Sequence, residues 1–468
     1  MSLKHGRSQI GERMPSGPED VLKDHAPRRG GCTLLRALVG SDCSRFAAAL
    51  VLVVALRPQS AWTEPKQTAM QPSKRTLQGK LIVGYQGWFG CPDSSRQPPG
   101  KWVHWMKDGE ATIDMLPDTT ELTPAERCAT QWTNRAGQTV DVYTAQNRMT
   151  VDRHFAWMQE YGIDGAALQR FATELGQPER KVEIDQVLTN VVSSAERYDR
   201  SFFVEYDLTG TQDRRCVDRV IDDWSALEAQ GIGQSRAYQR HRGHIVVGIF
   251  GLGFPGGRYV SADLAESLIE GLRKASLAYG GITIFAGVPA DWRTLGETGA
   301  QASEWNKVYR SVDVISPWTV GRYNSAETID KFRRDHLEPD VLEAKRMGVD
   351  YMPVIFPGFS WHNLWTTRGD DNRPTNQIPR DCGRFYWRQF FNAVDVGNSM
   401  IFSAMFDEVD EGTAIFKTRA TQTELPASPL FLSLVPMAVD FHRIGIFASP
   451  VVQRRYFTER PQTIPGSL

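Results

Sequence analysis

Ser399-Met400-Ile401-Phe402-Ser403-Ala404-Met405 runs directly into Phe406-Asp407-Glu408-Val409-Asp410-Glu411-Gly412-Thr413. The first stretch reads as a short buried strand, β-rich and without charge. The second puts four carboxylates into five residues, which a buried strand cannot carry, so the strand must end before them and leave them facing water or a ligand. A paired carboxyl group at the mouth of a scaffold suits acid/base cleavage of a glycosidic bond, where one group donates a proton and the other removes one or attacks. The competing readings are a solvated acidic loop and an oxygen-lined cation site.

Upstream the same theme recurs. Apolar, β-rich runs span Leu81–Gln86, Gly165–Arg170, Phe202–Asp207, Ile245–Phe250, Ile282–Gly287, Val312–Pro317 and Tyr351–Phe356, and Ser399–Phe406 is the eighth. Helical patterns separate them. Ile184, Val187, Leu188, Val191, Val192 and Ala195 recur at helical spacing, and Ser261 caps a helix expected over Asp263–Tyr279 before Gly280-Gly281. Further helices are predicted at Val151–Tyr161, Cys216–Gln230, Ser303–Arg310, Thr328–Met347 and Gly383–Val396. Eight buried strands alternating with helices predict an α/β fold, a (β/α)8 TIM-type barrel over residues 79–425, in preference to an open doubly wound sheet. Residues 426–468 carry Pro426, Pro429, Pro436 and Pro450 where a closing helix would be expected, which leaves that segment unassigned.

In such barrels the site lies at the carboxyl ends of the strands. Those ends here are polar and aromatic: Tyr85-Gln86-Gly87-Trp88, Gln169-Arg170-Phe171, Glu205-Tyr206-Asp207, Ser316-Pro317-Trp318 and Trp361-His362-Asn363. Loops at the other end, such as Tyr161-Gly162-Ile163-Asp164, are short and plain. Of 13 tryptophans, Trp88, Trp102, Trp105, Trp132, Trp292, Trp318, Trp361 and Trp365 follow strands, and flat rings of that kind suit the CH faces of a sugar as well as ordinary loop packing. Asp407, Tyr85, Gln86, Trp88, His104, Trp105, Arg170, Tyr206, Asp207, Trp318, Trp361 and His362 are the candidates to bind hydroxyls or stack on rings.

Charge balance narrows the partners. Lysine and arginine number 54 against 55 aspartates and glutamates, which gives no field for nucleic acid or an anionic membrane. Residues 1–78 are of a different kind: Phe46–Leu56 is an apolar run too short to span a bilayer, preceded by Arg45 and followed by Gln59-Ser60-Ala61. It reads as the core of a signal peptide, with Met14 as a possible start, and a buried helix is the alternative. The expected location is therefore secreted or periplasmic, with no stable membrane span after cleavage. Cys32 and Cys43 leave with that segment; of the remainder, Cys91–Cys128 is the favoured pair because both lie in one long insertion, with free buried thiols the alternative.

Three other patterns are set aside. Gly251-Leu252-Gly253-Phe254-Pro255-Gly256 fits a dinucleotide fingerprint, yet Pro255 removes a needed donor and no acidic residue ends the following strand. His241-Arg242-Gly243-His244 lacks zinc-binding spacing, and no G-x-S-x-G elbow occurs. No metal or cofactor is expected.

Gly84–Phe89, Trp102-Val103-His104-Trp105, His154–Gly165, Gln169-Arg170-Phe171 and Ala404–Phe416 resemble the glycoside hydrolase family 71/99-like group, sometimes labelled xylosidase/arabinosidase. The resemblance spans residues 79–418 and implies a barrel acting on an α-linked polysaccharide or glycan, mannan-like or glucan-like. Family 99 carries an N-E-W-x-E-G motif after its last strand, and family 71 is the fungal α-1,3-glucanase group. On this chain Glu408 matches the first glutamate, a base acting on the sugar 2-hydroxyl to form an anhydro-sugar. Glu411 matches the second, the general acid/base. Asp407 stands in place of the asparagine and Val409 in place of the tryptophan. A non-catalytic carbohydrate-binding barrel is the rival reading.

Overall fold

The structure, a computed structural model, describes residues 76–92, 101–255, 257–294, 302–366, 374–419, 421–428 and 430–432. The expected export segment, Cys32, Cys43 and nearly all of 426–468 lie outside the described residues, as do the side chains of Trp365 and Cys382.

Among the described residues, eight parallel strands form the core: β1 (Lys80–Tyr85), β2 (Gly165–Phe171), β3 (Ser201–Asp207), β4 (His244–Phe250), β5 (Ile282–Pro289), β6 (Val314–Trp318), β7 (in two pieces, Asp350–Tyr351 and Val354–Ile355) and β8 (Met400–Ser403). Each pairs with its neighbour in chain order, and β1 pairs with β8, Leu81 opposite Ile401. The first piece of β7 pairs with β6 and the second with β8, so the sheet closes on itself. That is the expected (β/α)8 barrel. Pro353, which has no N–H to give a ladder, lies at the break in β7; its carbonyl still accepts from Phe402 N at 3.0 Å.

Helices α1 (Arg148–Glu160), α2 (Pro178–Arg197), α3 (Arg214–Ala229), α4 (Ala262–Ser276), α5 (Ala302–Arg310), α6 (Ala326–Phe332), α7 (Glu338–Met347), α8 (His362–Thr366) and α9 (Arg384–Asp395) occupy the connections. Their starts follow local chemistry. Asn147 accepts from Met149 N, Asp213 from Cys216 N and Ser261 from Leu264 N. The helix expected over Thr328–Met347 is instead divided by a π-turn, Arg333–Leu337. Pro339 follows in the first turn of α7, where its missing N–H breaks the regular ladder.

Strand alternation divides the side chains into two sets. Phe203, Phe285 and Phe402 meet inside the barrel, with Phe285 and Phe402 stacked at 5.7 Å. Outward-facing residues pack on the helices. The long β1–α1 insertion holds two small hairpins, Met106–Lys107 with Glu110–Ala111 and Arg127–Thr133 with Thr139–Tyr143. Cys91 and Cys128 are joined by a disulfide within it. After β8 the chain returns across this insertion: Thr418 bridges Pro117, Pro426 bridges Asn134, and Leu432 N donates to Asp114 O at 2.7 Å. Among the described residues no helix is long and apolar enough to cross a membrane.

Candidate active site

β8 ends at Ser403, and the acidic segment leaves the barrel wall as a turn. Its carbonyls are held almost one by one. Glu408 O accepts from Ala414 N (2.9 Å), and Val409 O from Asp114 N and Met115 N (2.9 and 3.2 Å). Asp410 O accepts from Asn363 Nδ2 (2.8 Å) and Glu411 O from Ser360 N (2.8 Å). Arg380 Nη2 donates to Gly412 O (2.8 Å) and Ala414 O (2.5 Å). Asp407 is buried and accepts the Gln86 and Gly87 N–H groups at 2.8 and 2.9 Å, which ties the β1 loop to this turn. A loop so fully bonded keeps its side chains in place without a ligand.

Beside it opens a cavity of about 250 Å³ at the carboxyl ends of the strands. All eight strands or the loops just beyond them contribute to its wall: Gln86 and Trp88, Gln169 and Phe171, Glu205 and Asp207, Phe250, Phe285 and Gly287, Ser316 and Trp318, Val354, and Phe402 with Met405, Glu408 and Glu411. Phe285 and Phe402 make an apolar floor above the filled barrel. Glu408 and Glu411 therefore line one hollow with two of the tryptophans.

Both oxygens of Glu408 are engaged. Gln86 Nε2 donates to Oε1 at 2.9 Å and Thr413 Oγ1 to Oε2 at 2.6 Å. Burial, with the Asp410 charge next, raises its carboxyl to about 8 against those two bonds. Among the described residues, three buried polar atoms of the cavity lining have no hydrogen-bond partner: Gln86 Oε1, Trp88 Nε1 and Ser316 Oγ. Unpaired buried groups of this kind are costly unless a ligand or water completes them, and two acceptor-capable atoms with two donors match the demands of sugar hydroxyls.

One acid was not singled out from the sequence. Glu205 on β3 lies inside the cavity, accepts from Gln169 Nε2 at 2.6 Å, and is raised to about 8 chiefly by burial. Asp207, two residues on, is raised by burial to about 6 and accepts from Thr209 N at 2.7 Å. Gly248 on the neighbouring strand leaves the space: a Cβ there would meet Glu205 Cβ at 2.7 Å. Strand parity was the available signal, since Glu205 and Asp207 share the inner face while Tyr206 must face out.

Of the expected binding residues, Gln86, Trp88, Asp207 and Trp318 line the cavity with Glu408 and Glu411. The expectation of direct sugar contact is corrected for five others. Arg170 points outward, donating Nε and Nη2 to Asp223 at 3.0 and 2.8 Å, and Tyr206 OH donates to the same carboxylate at 2.8 Å. Tyr85, fully buried, bonds His154 Nδ1 at 2.9 Å, and Trp105 donates to Tyr143 O at 2.8 Å within the insertion's aromatic core. Asp407 is engaged by backbone amides as described. His104, Trp361 and His362 do not line the cavity either. His104 stacks on Trp88 at 3.9 Å with Nδ1 3.3 Å from Asp410, and Trp361 packs edge-on to Phe359. Trp292 is buried and donates to Asp340 at 3.1 Å, and Trp132 lies against Phe431, so neither belongs to a groove. Among the described residues no group of three or more His, Cys, Asp or Glu side chains is placed to hold a metal ion.

No protein-family model matches the chain, and no curated protein matches it significantly. Solved structures do. A GH99 endo-alpha-mannosidase from Bacteroides thetaiotaomicron, in complex with BIS-TRIS-propane, superposes with a TM-score of 0.56 at 16% identity, over 81% of this chain and 98% of that one. A second structure of the GH99 endo-alpha-mannosidase from that organism gives 0.56 at 14% identity, over 82% and 99%. At this identity the likeness is one of fold: the chain has the same barrel architecture as these family 99 structures, as its motifs led one to expect.

Proposed function

We propose that the chain is an exported glycoside hydrolase that cleaves an α-linked polysaccharide or glycan by carboxylate acid/base catalysis. The observation that carries this reading is the cavity itself: Glu408, fixed at both oxygens, and Glu411 share it with two indole-bearing residues and with buried polar atoms that lack partners. Mannose-type or glucose-type chains are the proposed substrates, on the motif resemblance and on the activity named for the structurally similar family 99 proteins.

In the proposed sequence Glu411 gives its proton to the glycosidic oxygen as the bond from C1 to that oxygen breaks. Glu408 removes the 2-hydroxyl proton as O2 closes on C1, forming a 1,2-anhydro-sugar. Water then opens the ring at C1, yielding its proton to Glu411 while Glu408 returns one to O2. The anomeric configuration is retained, because C1 is attacked twice from opposite faces. Gln86 and Thr413 hold the base in line, and Glu205, protonated near neutrality, can donate a hydrogen bond to a sugar oxygen from the opposite wall.

Reducing-end release from a panel of α-mannans and α-glucans tests this directly. Glu411→Gln is expected to lower turnover by about 10²–10⁴-fold with an unchanged circular dichroism spectrum. Full activity in that variant, or binding without turnover by the unaltered protein, would reject catalysis at this pair and leave a carbohydrate-binding barrel.

A further inference from the structure

Among the described residues the cavity wall carries one cation. Arg258 lines it beside Tyr259, on the loop after β4, and its side chain is exposed. Its backbone is fixed, since Gly210 N donates to Arg258 O at 2.8 Å, yet among the described residues its guanidinium makes no hydrogen bond and no ion pair within 4.0 Å. Elsewhere Arg273 pairs with Asp313, Arg293 with Asp340 and Arg333 with Asp395. Next to Arg258 stands an aromatic wall. Phe250 contacts Trp318 and Phe254 at 5.1 Å each, and Phe254 contacts Tyr259 at 5.2 Å.

We infer that this side of the cavity is a subsite for a sugar bearing an anionic group, a carboxylate or a sulfate ester, which Arg258 engages while the ring lies against Trp318 and Tyr259. This rests on the hydrolase reading and narrows its substrate class. A guanidinium offers a planar pair of N–H donors that fits both anions in two-point contact. The four lining acids do not forbid it. Burial raises Glu205 to about 8, so it is mainly neutral at pH 7, and the Arg258 charge favours the ionised form of Asp207. Asp207 acts on Arg258 through its charge but from beyond ion-pair distance, so the guanidinium N–H donors stay unused in a cavity that holds neutral sugar, and an anionic ligand would engage them directly.

The test measures binding to the full-length Glu411→Gln protein, so that turnover does not enter. The probes are matched-length oligosaccharides of polymannuronate (carboxylate), of carrageenan (sulfate), and of neutral mannan and glucan. One anionic series should bind at least about tenfold more tightly than the neutral ones, as a charge-assisted pair supplies. Arg258→Gln should erase that ratio, Arg258→Lys should keep part of it, and the arm that carries the preference identifies the anion. Equal affinity for neutral and anionic series, or a preference that survives Arg258→Gln, overturns this inference and leaves the hydrolase reading standing. If no series binds and the unaltered protein cuts none of them, both fall.

Discussion

Arg170 shows how far a single side chain's position on a strand decides its role. It lies between Gln169 and Phe171, both in the cavity wall, yet points the other way into a buried cluster with Asp223, Tyr206 and the more exposed Asp185. Its charge is strengthened by those carboxylates against burial. Arg170→Met would leave Asp223 buried with its main partner gone. Loss of one member of such a pair costs about 3–5 kcal/mol, so the melting temperature should drop by several degrees with kcat/KM on a cleavable glycan little changed. A selective rise in KM at unaltered stability would restore Arg170 to the binding site. The sequence contained this distinction. On β1, β2 and β3 the outward residues Tyr85, Arg170 and Tyr206 alternate with Gln86, Gln169 and Glu205, which face the cavity. Reading strand ends as clusters gathered both faces, whereas applying the period of two would have retained Gln169 and Glu205 and set the other three aside. The tryptophans were harder to sort. Trp105 and Trp292 are buried by the insertion and by helix packing, and that tertiary context has no local signature.

At the scale of the element, the turn carrying Glu408 and Glu411 is held from outside itself. Its donors come from residues 114 and 115, 360 and 363, and from Arg380, which no pattern in the acidic stretch could reveal. Arg380 is fully buried, and burial lowers it to about 9. Among the described residues only Nη2 is engaged, by two carbonyls of the turn and by Met115 Sδ. Arg380→Met keeps the volume but removes both carbonyl bonds. The turn should then loosen by a fraction of an ångström, and misplacement on that scale can cost on the order of 10²-fold in rate. The expected signature is a lower kcat with KM nearly constant, and Arg380→Lys should restore part of it. Equal falls in kcat and in the folded fraction would reduce Arg380 to a stability role. The strands themselves were legible because eight apolar runs each needed two covered faces. The breaks were less so: Pro353 and Pro339 mark the interrupted strand and the π-turn, but a proline states only which bond is missing, and the surrounding packing decides how the chain absorbs it.

For the molecule as a whole, closure of the barrel and burial of acids are two sides of one arrangement. A closed barrel excludes water from its interior, and the site at its mouth inherits that low polarizability. Glu205 and Glu408 are raised to about 8 and Asp407 to about 7, burial being the first cause of each. Unfolded, the same groups release their protons at about 4. Between those values the folded chain binds more protons than the unfolded one, so stability is fully present below about pH 4 as far as these groups are concerned and is lost as pH rises towards 8. Salt bridges elsewhere act in the opposite sense: Asp223, beside Arg170, is lowered and favours the fold at higher pH. Glu205→Gln isolates one term. The amide keeps an oxygen to accept from Gln169 and has no charge to bury. Relative to the unaltered protein, its melting temperature should match at pH 4.5 and exceed it by a widening margin up to pH 8. Raising a fully buried carboxyl to about 8 corresponds to roughly a few kcal/mol. Thermal scans of both proteins at half-unit steps decide it. Parallel curves across that window would mean that Glu205 is solvated in the folded state, and the cavity would then be open to water rather than shaped to replace it.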